Sequence, residues 1–212
     1  MAASELFHFY FGQCPLVAII RGVTPGQAVE IGEAIYAAGI RIIEVPLNSP
    51  DPIASIQRLA ERFGDRALIG AGTVLDPDDV ARVAEAGGRL IVSPNTHPPV
   101  IEAAAAAGLV SSPGFFTPTE AFAALRAGAH ALKFFPAEAA TPKVLAGMKA
   151  VLPPAVPLLV VGGVSPDNVT GWMAAGADGF GLGSGVYRPG QDKATVGRQA
   201  AAYVAAVRSA AG

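Results

Sequence analysis

The sequence contains little charge and no concentration of charge of one sign. Only 15% of its residues are Asp, Glu, Lys or Arg, and the formal net charge at pH 7 is −2. Without a basic patch, a protein has no electrostatic means of holding nucleic acid or an anionic membrane surface. We therefore expect small molecules or other protein subunits as partners, with no nucleic acid and no membrane.

Cysteine and histidine are also scarce. Cys14 is the only cysteine, which excludes an intramolecular disulfide and a cysteine metal cluster and fits a reducing cytoplasm. His8, His97 and His130 each lack a second histidine or a carboxylate at a ligand spacing. We expect neither a metal ion nor another cofactor.

The sequence has no long apolar run. No segment reaches the roughly 18 consecutive apolar residues that would span a bilayer. The first residues, "MAASELFHFYFGQ", have no basic segment and carry Glu5 and His8 where a signal peptide would be apolar. They predict a short amphipathic helix on a soluble, cytoplasmic protein.

What the sequence does contain is a repeat of short β-rich runs separated by alanine-rich stretches, in a chain that is 51% hydrophobic. This alternation is typical of βα units around a parallel sheet. Eight predicted strands begin at Pro15, Ile40, Ala67, Arg89, Leu109, His130, Pro157 and Gly179. We expect one α/β domain over residues 1–212, a (β/α)₈ TIM barrel with an extra N-terminal helix over one end and a last helix from about Gln191.

Helix boundary signals repeat in the same rhythm. A capping side chain followed by proline predicts helix starts at Thr24-Pro25, Ser49-Pro50, Asp76-Pro77, Thr117-Pro118, Thr141-Pro142 and Ser165-Pro166. Glycines predict helix ends at Gly39, Gly87, Gly108, Gly128 and Gly176. An open doubly wound sheet is the competing architecture, but "IIRGVTPGQ" after the first strand lacks the glycine fingerprint of a dinucleotide site.

Unusual polar residues stand near the carboxyl ends of the predicted strands, where a TIM barrel holds its active site. Strand alternation turns Glu44 and Lys133 into the barrel and their apolar neighbours toward the helices. Desolvation favours the neutral lysine amine, which can attack a carbonyl. The alternative is a structural ion pair between the two residues. Arg21, at the end of the first strand, is either a surface charge or a ligand whose planar guanidinium binds a carboxylate or phosphate.

The last two predicted strands end in glycine-rich segments. Gly162-Gly163 lie in "VVGGVSPDN", and Gly181, Gly183 and Ser184 lie in "GFGLGSGVY". Bare backbone at these two adjacent positions of a TIM barrel is typical of a phosphate site, whereas glycines in one loop alone also serve plain turns. No nucleotide motif accompanies them, so we expect a phosphorylated small metabolite.

With these residues placed, the chain resembles the KDPG/KHG aldolase family, class I enzymes that cleave 2-keto-3-deoxy-6-phosphosugar acids. The likeness runs from about Pro15 to Ala201. It rests on eight ordered segments: "AIIRG", "IIEVPLNSP", "LIGAGTVL", "LIVSPN", "SSPGFFTPTEA", "ALKFFPAE", "VVGGVSPDN" and "GLGSGVY". Asn48 and Val161 stand where the phosphogluconate branch of the family typically has arginine and threonine, so the chain is most similar to the phosphogalactonate branch.

The resemblance implies cleavage of 2-dehydro-3-deoxy-6-phospho-D-galactonate to pyruvate and D-glyceraldehyde 3-phosphate by a homotrimer. It implies Lys133 as the Schiff-base lysine and Glu44 as the general acid/base. The implied substrate-binding residues are Arg21, Thr73, Val161, Gly162, Gly163, Gly183 and Ser184. Activity on the gluconate epimer is the first alternative. A non-catalytic phosphosugar-binding barrel and a metal-dependent aldolase or isomerase are the others, since this fold hosts many chemistries.

Overall fold

The structure, a computed structural model, describes residues 1–211. Its strands are β1 Leu16–Ile19, β2 Ile42–Pro46, β3 Leu68–Gly72, β4 Leu90–Val92, β5 Val110–Ser112, β6 Gly114–Phe115, β7 Leu132–Phe134, β8 Leu158–Val161 and β9 Gly179–Leu182. Its α-helices are α1 Ala3–Gln13, α2 Pro25–Ala38, α3 Pro52–Phe63, α4 Pro77–Glu85, α5 Pro98–Ala106, α6 Pro118–Arg126, α7 Pro142–Lys149, α8 Val169–Ala174 and α9 Lys193–Ala211. Short 3₁₀ turns cover Gly64–Arg66 and Ala137–Ala139.

The strands form one parallel sheet in the order β5-β4-β3-β2-β1-β9-β8-β7-β6. The two end strands, β5 and β6, are consecutive in sequence and separated only by Pro113, so the sheet curls into a nearly closed barrel. The Lys133 N–H donates to the Pro113 carbonyl at 2.9 Å across this junction. The predicted TIM barrel is confirmed, but the single strand predicted from Leu109 is divided in two because proline has no N–H for the ladder.

Strand alternation separates two apolar layers. Ile43, Val45, Leu132 and Phe134 pack between the strands and the helices. The barrel interior is filled by Val17, Ile19, Ile42, Leu68, Leu90, Val92, Val110, Ala131, Leu159 and Val161. A residue between two helix-facing neighbours of a strand must face the interior, which sets the direction of the two charged residues of β2 and β7.

Helix α1 covers the amino-terminal end of the barrel, as predicted. Phe7 is fully buried against the interior cluster, and its ring stacks on Phe11 at 4.9 Å between centroids. The Tyr10 hydroxyl donates to the Asp65 carbonyl at 2.6 Å, just before β3. Phe9 points away and is 53% exposed. Across residues 1–211, the helices are all too short or too polar to span a membrane.

Most of the predicted helix boundaries are found. Helices α2, α4, α6 and α7 begin at the predicted prolines. Two predicted starts are wrong: α3 begins only at Pro52 and α8 at Val169. The reason is that Ser49 and Ser165 belong to the preceding loops, where the Ser49 hydroxyl accepts a bond from the Gly22 N–H at 2.9 Å. All five predicted helix-ending glycines have positive φ: Gly39, Gly87, Gly108, Gly128 and Gly176.

The burial of Phe7 predicts a stability effect that its neighbour on α1 lacks. Phe7→Ala removes a ring from the floor of the barrel and should cost about 3 to 5 kcal/mol of unfolding free energy. Phe9→Ala is the matched control and should change that free energy by less than about 0.5 kcal/mol, because the ring is exposed. Urea unfolding followed by circular dichroism measures both. Equal effects would show that α1 does not close the barrel.

Candidate active site

A cleft of about 610 Å³ opens at the carboxyl ends of the strands. Of the nine residues that the sequence predicted for the site, eight line this cleft: Arg21, Thr73, Lys133, Val161, Gly162, Gly163, Gly183 and Ser184. They come from β7 and from the carboxyl ends of β1, β3, β8 and β9; β1, β9, β8 and β7 are neighbours in the sheet, and β2 separates β1 from β3. The ninth, Glu44, lies deeper.

Lys133 is the basic group at the floor of the cleft. Its side chain projects from the middle of β7 and the residue is only 7% exposed, with Nζ 4.8 Å from the centroid of the Phe135 ring. Burial lowers the pKa of Lys133 below its ordinary value, Glu44 opposes the shift and the positive charge of Arg21 adds to it. A lowered pKa makes the neutral amine, the form of lysine that can act as a nucleophile, more accessible.

Glu44 projects from β2 into a small inner cavity beneath the cleft. This cavity of about 10 Å³ has room for roughly one water molecule and is also lined by Lys133. Glu44 is 1% exposed, and burial raises its pKa to about 7 against the attraction of Lys133 and Arg21. Its Oε2 atom has no hydrogen-bond partner among residues 1–211. A carboxyl group with this pKa can both take up and release a proton near neutral pH.

The two groups do not form the structural ion pair that the sequence left open. Within the described part of the chain, the salt bridges are Arg62–Glu33, Arg82–Asp79, Arg89–Asp65 and Lys149–Asp178. Glu44 and Lys133 are therefore close enough to influence each other's pKa without a direct contact. The inner cavity that both groups line has room for about one water molecule.

Arg21 is held at the mouth of the cleft by the loops after β2 and β3. Its Nη1 donates to Asn48 Oδ1, and its Nη2 donates to Thr73 Oγ1 at 3.4 Å. Thr73 has a φ of 55°, a left-handed conformation that is rare for a β-branched residue and that marks a position fixed by its surroundings. The guanidinium is thus fixed as a planar fork that suits a carboxylate.

The glycine loops after β8 and β9 form the far wall of the cleft. Gly162 and Gly163 have φ values of 105° and 66°, and the Gly163 carbonyl accepts a bond from Asn168 Nδ2 at 2.9 Å. In the β9 loop, Gly183 and the exposed Ser184 line the same wall. This stretch of bare backbone at the ends of the last two strands has the form of a phosphate site in this fold.

Three further polar residues line the cleft that were not predicted from the sequence: Glu138, Tyr187 and Arg188. Arg188 Nε donates to the Ser184 carbonyl at 3.1 Å, which holds a positive charge at the edge of the glycine wall. Glu138 brings a negative charge to the same wall beside Gly162. Tyr187 lines the cleft, and its buried hydroxyl lacks a partner within residues 1–211. Arg188 and Tyr187 follow "GSGV" directly, so the signal was present next to the glycines.

Metal ligands are not gathered at this site. Over the described residues, no three His, Cys, Asp or Glu side chains come together as a metal-binding group. Of the histidines, His130 has a structural contact, since its Nδ1 accepts the Ser111 N–H at 3.1 Å before β7.

A parallel barrel with a buried lysine and a buried carboxyl group at the carboxyl ends of its strands has the site of an α/β-barrel enzyme. A family model described as "Aldolase: KDPG and KHG aldolase" matches residues 10–196. The chain belongs to the KDPG and KHG aldolase family and is thus an aldolase, a lyase.

Individual relatives agree with this assignment. The chain is 48% identical over 196 residues to the 2-dehydro-3-deoxy-6-phosphogalactonate aldolase of Escherichia coli K12, covering 92% of this chain and 96% of that protein. It is 34% identical over 165 residues to the KHG/KDPG aldolase of the same strain, covering 76% and 75%. The solved structure described as "Native KDPGal structure" superposes with a TM-score of 0.93 at 48% identity, over 94% of this chain and 97% of that chain.

The raised pKa of Glu44 predicts how stability depends on pH. The ordinary pKa is 4.5 and the folded value about 7, so the stability due to the neutral carboxyl is present below pH 4.5 and lost as pH rises through 7. Glu44→Gln cannot ionise. Between pH 4.5 and 8 the wild type should therefore lose on the order of 3 kcal/mol of unfolding free energy that Glu44→Gln does not lose.

Denaturant unfolding at several pH values measures this gap. Glu85→Gln is the matched control, because that carboxylate is exposed and its replacement should leave the pH dependence as in the wild type. A constant gap between Glu44→Gln and the wild type would contradict the burial of an ionisable group at this position.

Proposed function

We propose that the protein cleaves 2-dehydro-3-deoxy-6-phospho-D-galactonate to pyruvate and D-glyceraldehyde 3-phosphate through a Schiff base on Lys133. The observation that carries the proposal is the buried amine of Lys133, with its lowered pKa, at the floor of a cleft that has phosphate-type loops on one wall. The 48% identity to an aldolase of this name supports the choice of substrate.

The first half of the reaction forms the electron sink. The neutral amine of Lys133 adds to the C2 ketone, and loss of water leaves a cationic imine. Arg21, held by Asn48 and Thr73, donates hydrogen bonds to the substrate carboxylate together with the Thr73 hydroxyl. The phosphate lies against Gly163, Gly183 and Ser184, in the glycine loops that line the same cleft.

The second half moves one proton twice. Glu44, directly or through one water in the inner cavity, takes the C4 hydroxyl proton while the C3–C4 electron pair moves into the imine. Glyceraldehyde 3-phosphate leaves, and the enamine of pyruvate stays on Lys133. Glu44 then returns the proton to C3, and hydrolysis of the imine releases pyruvate and the free amine.

Val161 is proposed to meet the substrate near C4. It lines both the open cleft and the inner cavity, beside Lys133. Gly181 makes room for it, because a Cβ at that glycine would lie 2.7 Å from Val161 Cγ2. An apolar wall here offers a C4 hydroxyl no partner, so it favours the epimer whose hydroxyl points elsewhere.

The homotrimer and the cytoplasmic location stay predictions.

Covalent trapping tests whether Lys133 forms the Schiff base. Incubation with pyruvate and sodium borohydride should place a reduced pyruvate adduct on Lys133, located by peptide mass spectrometry. Lys133→Arg should lose the adduct and at least about 10³-fold in kcat, since an arginine cannot form the imine. Lys143→Arg, a change on the exposed surface of α7, is the matched control.

The outcomes separate the competing functions. Phosphosugar binding without adduct or turnover would favour the non-catalytic barrel. Loss of activity with a chelator would favour a metal-dependent enzyme.

The proposed role of Val161 predicts a change of epimer preference. Val161→Thr adds a hydroxyl at the same volume and should raise kcat/KM for the gluconate epimer relative to the galactonate epimer by about 10-fold. Val160→Thr is the matched control, since that side chain faces the helices and should leave the ratio as it is. If Val161→Thr leaves the ratio of the two kcat/KM values unchanged, Val161 is not a determinant.

A further inference from the structure

The carboxylate of Glu44 lies across a glycine of the neighbouring strand. A Cβ added at Gly72, the last residue of β3, would lie 1.8 Å from Glu44 Oε2, 2.4 Å from Oε1 and 2.3 Å from Cδ. These distances are far inside van der Waals contact. The carboxylate therefore occupies the space that any other residue at position 72 would fill.

The strand register explains the contact. Glu44 pairs with Gly70, and Gly72 pairs with Pro46 two residues further toward the carboxyl ends. Gly70 and Gly72 share a face of β3, so Gly72 is the diagonal neighbour of Glu44. The side chain of Glu44 thus leans toward the mouth of the barrel, and the Leu47 N–H donates to the Gly72 carbonyl at 2.8 Å to hold the two backbones in place.

Backbone conformation does not call for glycine at this position. The φ of Gly72 lies outside the left-handed region, so alanine fits its backbone. Gly70 differs, because its added Cβ would lie 2.1 Å from the Leu90 carbonyl oxygen of the next strand. Of these two glycines, only Gly72 has the Glu44 carboxyl group in the space that an added Cβ would occupy.

The fixing of Glu44 depends on such contacts. Within residues 1–211, its carboxyl group makes neither a salt bridge nor a side-chain hydrogen bond, and Oε2 is buried. No hydrogen bond therefore fixes its direction, which leaves that role to packing and to the longer-range attraction of Lys133 and Arg21. The open space over Gly72 allows the extended arrangement of the Glu44 side chain beside Lys133.

We propose that Gly72 is a positioning residue, whose missing side chain lets Glu44 reach the inner cavity next to Lys133. The inference rests on the proposed function for its effect on catalysis. Gly72→Ala should turn the carboxylate away from the reacting atoms while the amine of Lys133 stays in place. Imine formation should then survive, and the proton transfers of Glu44 should slow.

The experiment is a double-mutant cycle of Gly72→Ala with Glu44→Asp. In the wild-type background, Gly72→Ala should lower kcat about 10²-fold, the size of loss that a displacement of about 1 Å causes, with KM changed less than about 3-fold. Asp is one methylene shorter and does not extend over position 72. In the Glu44→Asp background, the same change should therefore lower kcat less than about 3-fold.

Two readouts separate positioning from general damage. Gly72→Ala should still form the borohydride-reduced pyruvate adduct on Lys133, yet exchange the C3 protons of pyruvate with deuterium about 10²-fold more slowly than the wild type. Gly147→Ala, an exposed glycine of α7 with open space around it in the described chain, is the control and should match the wild type in both.

Equal losses of kcat in the two backgrounds would overturn the inference. If Gly72→Ala fails to fold, the double variant decides: recovered folding supports the steric relation, and continued misfolding contradicts it. A wild type without any pyruvate adduct would instead refute the proposed function. The unfolding free energies of the wild type, the two single variants and the double variant then test the steric relation between positions 72 and 44 without any activity measurement. Gly72→Ala should be less destabilising when Glu44→Asp is present.

Discussion

The removal of two ionisable groups from water is the constraint on which the rest of the site depends. Lys133 and Glu44 both lie inside the barrel, and burial moves their pKa values toward each other. A lysine on the surface would stay protonated and a surface carboxylate would stay ionised at neutral pH. Burial in the barrel interior makes the neutral form of each group more accessible, as the proposed imine formation and proton transfer require.

The closure of the sheet supplies this environment. Strands β2 and β7 are separated in the sheet by β1, β9 and β8, so their side chains meet only across the interior of the barrel. Helix α1 closes the amino-terminal end with Phe7, and the cleft opens at the other end. The same curvature brings Arg21 and the glycine loops to the rim of one cleft. The polar residues that the proposed function uses for recognition therefore lie at the rim, and the two desolvated ionisable groups lie at the floor.

The parts that local patterns dictate were predictable from the sequence. Glycine at helix ends, strand alternation and the interior direction of Glu44 follow from neighbours along the chain. Long-range contacts were not predictable in this way. The hydrogen bond from the Gly22 N–H to Ser49 between two loops, the break of a strand at Pro113 and the space over Gly72 depend on residues brought together by folding. Thr73 entered only through the family resemblance, since its φ and its bond to Arg21 leave no pattern in the sequence.

The most direct test of the account is the pKa of Lys133 in the free protein. The sequence has four lysines, so the Cε signals of protein labelled with ¹³C-lysine can be followed through a pH titration, with Lys133→Arg identifying the signal of interest. We expect a midpoint clearly below the ordinary value of 10.5, because the amine is buried. A midpoint at or above 10.5 would mean that Lys133 is a stable buried cation, and the proposed chemistry would lose its nucleophile.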